Sequence, residues 1–420
     1  MHWDEAKKQA KAKRRPLLLL ILASAGPGII AELAGNDAGG ISTFSIAGAN
    51  YGLTMLWTVP VALIFLMVVQ EIAARLGAKT GKGFAALIRE NYGIRLTTFA
   101  MLALAIANSG TTLSEFAGIA AGMELFGVNK YIAVPLAGLA VWALLMGGSY
   151  RRTQRIFLII SLVFLVYVVA AFVSRPNWGE VALHTIVPTA LPNAGFISLV
   201  IAMIGTTVAP WMIFFGQSNV VEKGSTVKDL FFLRADVFIG AVVACLVVWF
   251  IMITTGTVLY ERGIVVDDAA AAAQALEPTV GPAAEYLFGA GLVGASFLAA
   301  CVLPLTTSYA ICEAFGWERG ADATWNEAPA YKGIITGIIV ISCIIVLLPQ
   351  IDLMYVMLTA QVVNGILLPI LLIFLVLTAN NRNVMGANRN GRLSNVLSCI
   401  TIGAIIGLTL ALFVFQILGY

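Results

Sequence analysis

Charge is scarce in this sequence. Of its 420 residues only 11% are Asp, Glu, Lys or Arg, whereas 60% are hydrophobic. Soluble globular domains carry about 25% charged residues, so the composition excludes an ordinary soluble domain. Histidine is scarcer still. His2 stands in the N-terminal tail and His184 in a loop between apolar runs, and neither is assigned a ligand role. Cys245, Cys301, Cys312, Cys343 and Cys399 are scattered singly through apolar segments without CxxC spacing, which argues for small core residues over a zinc or redox motif. No G-x-S-x-G, H-E-x-x-H or P-loop is present and the loops are short, so the chain is not read as an enzyme. No nucleic-acid partner is expected. A cleavable leader is not evident either, because the basic stretch 7–15 runs into an apolar segment without an obvious cleavage site.

What the sequence has is length without charge. Residues 156–174, 238–257, 333–348 and 353–378 contain no Asp, Glu, Lys or Arg. An α-helix needs roughly 17–25 apolar residues to cross the hydrocarbon layer, and its backbone must satisfy itself there, so several such runs predict a helix bundle in a lipid bilayer. Windowing predicts about eleven transmembrane helices, near 17–49, 53–75, 95–127, 131–147, 155–174, 194–222, 230–259, 283–314, 333–349, 352–378 and 394–419. With the N-terminus inside, 22 of the 25 Lys and Arg residues fall on the cytoplasmic side, and only Lys130, Arg175 and Arg262 fall elsewhere. The positive-inside rule therefore predicts an integral protein of the plasma (inner) membrane with a cytoplasmic N-terminus and an outer C-terminus. The acidic–alanine segment 265–276 is read as a solvated linker.

Two spans carry breaks. The first runs into Gly35-Asn36-Asp37-Ala38-Gly39-Gly40 and the sixth into Gly205-Thr206-Thr207-Val208-Ala209-Pro210. Gly costs about 1 kcal/mol in a helix interior and Pro about 3, and each leaves backbone groups in need of partners. The breaks are one five-helix unit apart, and with odd-numbered units the second is inverted relative to the first. Paired interruptions of this kind point to a mid-membrane substrate site in an inverted-repeat transporter. The expected organisation is a basic tail (1–16), a first five-helix repeat (17–175), an outer loop (176–193), a second repeat (194–378), and a cytoplasmic loop with an eleventh helix (379–420).

Candidate chemistry gathers at these breaks. Asp37 is a carboxylate at mid-membrane depth, which costs several kcal/mol and marks function by default, although it also suits the N-cap of a following helix. The freed carbonyls of residues 206–209 are expected opposite it. A carboxylate with carbonyls and water is a hard-oxygen set, suited to Mg²⁺, Ca²⁺ or Mn²⁺. Glu115 lies deep in the third span, either on the same aqueous path or paired with a neighbouring hydroxyl or amide. Gln361 and Asn364 share one face of the tenth span at i,i+3. Two readings stand for them: holding metal-bound water, or hydrogen bonding between helices. For Trp211, packing competes with a role in the mechanism.

These residues form a pattern. Gly26-Pro27-Gly28, the break at Asp37, Gln70…Ala74-Arg75-Leu76-Gly77…Thr80-Gly81-Lys82, Glu115, Thr207-Val208-Ala209-Pro210 and Ala360-Gln361-Val362-Val363…Leu368-Pro369 resemble, in order, the NRAMP divalent-metal transporters. The resemblance implies an all-α, LeuT-type fold with a 5+5 inverted repeat and the substrate between the unwound first and sixth helices. Departures sharpen it. The family's Asp-Pro-Gly-Asn reads Asp37-Ala38-Gly39-Gly40, and its Met-Pro-His reads Ala209-Pro210-Trp211. A family Asp falls on Thr112, and arginines expected in the ninth helix are missing from 333–348. This pattern is similar to the NRAMP-related magnesium transporter branch. By that resemblance Asp37 and the Thr206 carbonyl are ligands, Gly40 and Ala209 mark vacated ligand positions, and Gln361 lies nearby. Glu115, Asn364, Thr112 and Trp211 are read as positions behind those ligands or along the ion's pathway.

The expected function is transport of a partly hydrated divalent cation, Mg²⁺ and also Mn²⁺, as substrate and not as cofactor, without proton coupling. The alternatives are a proton-coupled Mn²⁺/Fe²⁺ transporter or an amino-acid carrier on the same fold, though Asp37 would repel a substrate carboxylate. An ion channel is the reading from another class.

Overall fold

The computed structural model describes residues 36–147, 162–191, 193–320 and 323–418, and these are helical with no strand among them. In chain order the main helices are α1 (Ala38–Tyr51), α2 (Thr58–Thr80), α3 (Phe84–Glu124), α4 (Lys130–Met146), α5 (Val166–Val173), α6 (Trp178–Ile186) and α7 (Ala194–Thr207). There follow α8 (Pro210–Glu222), α9 (Leu230–Arg262), α10 (Ala284–Phe315), α11 (Pro329–Val346), α12 (Leu353–Asn380) and α13 (Arg392–Leu418). Residues 1–35 hold the basic tail, the Gly26-Pro27-Gly28 motif and the upstream half of the first span, and they lie outside the described residues, as does the 151–155 arginine loop.

Among the described residues eight helical stretches are long and apolar enough to cross a membrane, at the places predicted for the second, third and sixth to eleventh spans. The fourth and fifth places hold shorter apolar helices, Lys130–Met146 and Val163–Val173, and α1 is the described part of the first. The outer surface fits lipid. Leu136, Leu139, Phe172, Ile344 and Val414 are all more than half exposed. Water would penalise such a surface, whereas acyl chains match it.

Inside, small residues let the helices touch. A Cβ on Gly118 of α3 would overlap Ala38 and Ser296, and one on Gly122 would press on the Gly289 carbonyl of α10. Burying apolar surface gives helices little reason to associate in lipid, so this close packing supplies the attraction. α3 is thereby wedged against α1, α10 and α12. Its first turns form a separate arm, because Gly93 adopts φ 75° and breaks the helix between Tyr92 and Ile94.

One expectation is corrected. The 265–276 segment is not a solvated linker: Ala269, Ala272, Ala273, Ala275 and Leu276 are all buried. The Asp268 carboxylate accepts from the Ala271 N–H at 2.7 Å, caps a short helix (Ala269–Ala273), and leaves its methyl faces to pack on the bundle. Alanine here is a docking surface; its small side chains fit where bulkier ones would not.

Candidate functional site

Pro210 makes the break between α7 and α8. It has no N–H to give the Thr206 carbonyl four residues back, so the helix cannot run through. α7 ends at Thr207, Val208 turns (φ −113°, ψ 57°), and Ala209 is extended before the first turn of α8. Among the described residues no backbone donor reaches the carbonyls of Thr206 and Thr207. The freed set is narrower than the expected 206–209, because the Ala209 carbonyl accepts from the Met212 N–H at 3.0 Å and closes the first turn of α8.

Asp37 occupies the matching place on α1. It is extended, and its Oδ1 accepts from the Gly40 N–H at 2.7 Å, so it is the N-cap. From α3, Glu115 Oε2 accepts from the Ala38 N–H at 3.2 Å. Two carboxyl groups thus converge on one helix N-terminus, whose unpaired N–H groups and dipole favour negative charge. Asp37 is 2% exposed and Glu115 is fully buried, and each lies within electrostatic reach of the other.

Gln361 of α12 joins the two breaks. Its Nε2 lies directly on Gly39 of α1, where a Cβ would overlap it, and its carbonyl lies against Gly205, the residue before Thr206. Gly365 faces Gly205 across the same crossing, so two glycines bring the backbones of α7 and α12 together. The Gln361 Oε1 accepts from Asn364 Nδ2 at 2.8 Å, and Asn364 Nδ2 also donates to Thr111 Oγ1 at 2.8 Å. Asn364 therefore ties α12 to α3.

The site is rich in unmet polar atoms. Glu115 Oε1, Ser114 Oγ, Gln361 Nε2, Asn364 Oδ1 and Thr206 Oγ1 are buried without a partner among the described residues. Buried polar atoms in native proteins are nearly always satisfied, by protein or by ordered water. Several of them line one site, where ordered water could meet them. Beside it a cavity of about 10 Å³, lined by Asn36, Thr206, Thr207 and Met212 among others, has room for about one water. Among the described residues no three His, Cys, Asp or Glu side chains lie close enough together to hold a metal ion, and the two carboxyls at the α1 N-terminus are those of Asp37 and Glu115.

The structure thus brings together Asp37, Gly40, Thr206, Gln361, Glu115 and Asn364, with Ala209 at the edge of the break. Two further candidates, Thr112 and Trp211, make other contacts. Thr112 donates to the Asn108 carbonyl at 2.7 Å within its own helix. Trp211 is buried in α8 with its ring 5.7 Å from that of Phe215, and its Nε1 also has no partner among the described residues. The sequence reading passed over a polar file. Asn108, Thr111 and Glu115 lie on one face of α3, and Asn108 Nδ2 donates to Thr307 Oγ1 of α10 at 2.8 Å. Their i, i+3, i+7 spacing was the available signal. It also passed over Lys332, buried at the start of α11 with its ammonium 5.9 Å from the Tyr331 ring centre.

Comparison with known proteins agrees with this architecture. The model of the family described as Nramp, natural resistance-associated macrophage protein-like, matches residues 28–415. The divalent metal cation transporter MntH of Klebsiella pneumoniae is 28% identical over 407 residues, covering 95% of each chain. MntH of Aeromonas hydrophila is 27% identical over 405 residues, covering 93% of this chain and 95% of its own. Among solved structures, the Eremococcus coleocola manganese transporter in complex with an aromatic bis-isothiourea substituted compound superposes with a TM-score of 0.78. It has 21% identity, with 95% of this chain and 87% of that chain covered. MhsT in complex with L-phenylalanine has a TM-score of 0.55 at 15% identity, with 92% and 98% covered. At these identities the likeness speaks for the fold, the LeuT-type bundle of two inverted five-helix repeats.

Proposed function

Because the chain belongs to the Nramp family, we propose that it is a transporter of divalent metal cations that carries Mg²⁺, and also Mn²⁺, as a partly hydrated ion without proton coupling. The observation that carries this reading is the buried Asp37 carboxylate at the α1 N-terminus, ringed by unmet neutral polar atoms and by carbonyls freed at Pro210.

Each ingredient acts on a hydrated hard ion. Asp37 supplies charge to offset dehydration, and the Thr206 carbonyl supplies a fixed dipole. Ser114, Gln361 and Asn364 offer hydrogen-bond groups that match coordinated water better than bare metal. Mg²⁺ dehydrates reluctantly and usually keeps several waters, so such a shell suits it. A thioether or imidazole would select softer transition metals, and Gly40, Ala209 and Trp211 supply neither. In this reading the N-terminus is cytoplasmic in the inner membrane, and the ion enters down the inside-negative potential. That potential is worth about 2.3 kcal/mol per charge per 100 mV, twice that for a divalent ion. The polar file leading away from Glu115 consists of Thr111, Asn108 and Thr307, none of which titrates near neutral pH. A proton relay needs a chain of titratable groups.

One observation favours a second reading. Glu115 lies against the same helix end as Asp37, and a carboxyl so placed could exchange a proton with each ion, as in a proton-coupled Mn²⁺ or Fe²⁺ transporter. Uptake into proteoliposomes separates the substrates. Mg²⁺ and Mn²⁺ should both enter saturably and compete with each other. Mn²⁺ entry with Mg²⁺ neither carried nor competing would overturn the magnesium assignment.

A further inference from the structure

Away from the ion site, a cavity of about 670 Å³ opens between α2, the first turn of α9 and the start of α13, at the end where α2 passes from apolar residues to Glu71 and Arg75. Its walls differ along its length. Ile64, Met67, Val68, Leu393 and Leu397 line the deeper part, and Ile64 and Leu393 are 42% and 72% exposed. Arg75, Arg234 and Arg389 line the end beyond Glu71.

The three guanidinium groups are not equivalent. Arg75 is spent on structure: Nε and Nη2 bind Glu71, Nη1 donates to the Asn388 carbonyl at 2.6 Å, and Nη2 also donates to Asn390 Oδ1 at 2.6 Å. Both neighbours of Arg389 are therefore pinned by one buried arginine, and Asn390 is fixed further by its bond to Asn395 Oδ1 at 2.9 Å. Arg234 gives Nε and Nη2 to Glu71 Oε1 at 2.9 and 2.8 Å, and its side chain is 58% exposed. Arg389 makes no hydrogen bond or ion pair among the described residues, although its backbone is held in place. Three arginines face one carboxylate, so the polar end is short of negative charge. From Leu353 to Tyr420 the chain contains no Asp or Glu to supply it.

The geometry points to a binding site for one acidic phospholipid, its phosphate between Arg389 and Arg234 and its acyl chains along the α2–α13 groove. Charge complementarity selects an anion, and the apolar walls at bilayer depth select one with acyl chains over a soluble phosphate. The volume is in the range of small-molecule sites, about 300–1,000 Å³. Basic pockets between transmembrane helices at the cytoplasmic surface recognise anionic headgroups by the same physics. A lipid seated here bridges α13 to the α2–α9 pair.

The test is native mass spectrometry of the full-length purified transporter, titrated separately with phosphatidylglycerol and phosphatidylcholine. Phosphatidylglycerol should be retained preferentially. Arg389→Gln, an exposed position whose loss leaves the fold intact, should weaken that retention about fivefold, the effect of one basic residue at an anionic surface. Arg382→Gln, in the same loop but outside the cavity, should leave it unchanged, and inorganic phosphate should not displace the lipid. Equal retention of both lipids, equal loss in the two variants, or displacement by inorganic phosphate would overturn the assignment. None of these readouts depends on which metal the protein carries.

Discussion

At the scale of single residues, two carboxyls meet the α1 N-terminus, where Asp37 accepts from the Gly40 N–H and Glu115 from the Ala38 N–H. Asp37 stood out because a carboxylate between glycines at mid-membrane depth has few reasons to exist, and the structure places it at the head of α1. Pro210 forced a break that the structure reproduces. Ser114, Thr111 and Asn108 went unread because a hydroxyl or amide in a membrane helix can always bond to its own backbone, as Thr111 and Thr112 do. Only the three-dimensional contacts separate such self-satisfied groups from those aimed at a guest. The account predicts that Asp37→Asn, which keeps shape and removes charge, lowers Mn²⁺ affinity at least about tenfold by calorimetry. The melting temperature should stay near wild type, because the asparagine still caps α1. Wild-type affinity would remove Asp37 from the ion's path. Selectivity belongs to the two vacated positions. Gly40→Asn with Ala209→Met should shift preference from Mg²⁺ toward Mn²⁺ by restoring a smaller, softer site, read as the ratio of the two uptake rates. An unchanged ratio in a variant that still binds metal would contradict the selectivity argument.

At the scale of elements, helix crossings set the spacing of the site. Gly205 and Gly365 put the backbones of α7 and α12 in contact beside Thr206 and Gln361. A Cβ on Gly205 would meet the Gln361 carbonyl and the Gly365 backbone, which cannot rotate away. Gly205→Ala should therefore destabilise the bundle by about 1–3 kcal/mol and also reduce uptake, because separating the helices moves Gln361 off Gly39. Gly337→Ala on α11, with nothing within 4 Å of its Cβ, is the control and should leave melting temperature and uptake at or slightly above wild type. Hydropathy could not predict this crossing, since it counts glycine as a weakness within a helix and is blind to what the glycine admits. The same blindness explains the 265–276 segment. Alanine and aspartate together look solvated in one dimension, and burial became visible only once Asp268 was seen to cap the helix that turns the alanines inward.

At the scale of the molecule, apolar length was the most legible feature, since it placed the spans without reference to any contact. Driving force is less visible, because it depends on what titrates along a path and not on how many helices surround it. The account holds that the membrane potential acting on a divalent ion suffices, with Asp37 ionised and the file beyond Glu115 unable to relay a proton. The decisive measurement loads proteoliposomes with a pH-sensitive dye, clamps the potential inside-negative, and adds Mg²⁺ or Mn²⁺ outside while recording metal entry in parallel. The account predicts metal entry that grows with the potential and leaves lumenal pH unchanged. Acidification of the lumen that follows the metal would contradict it.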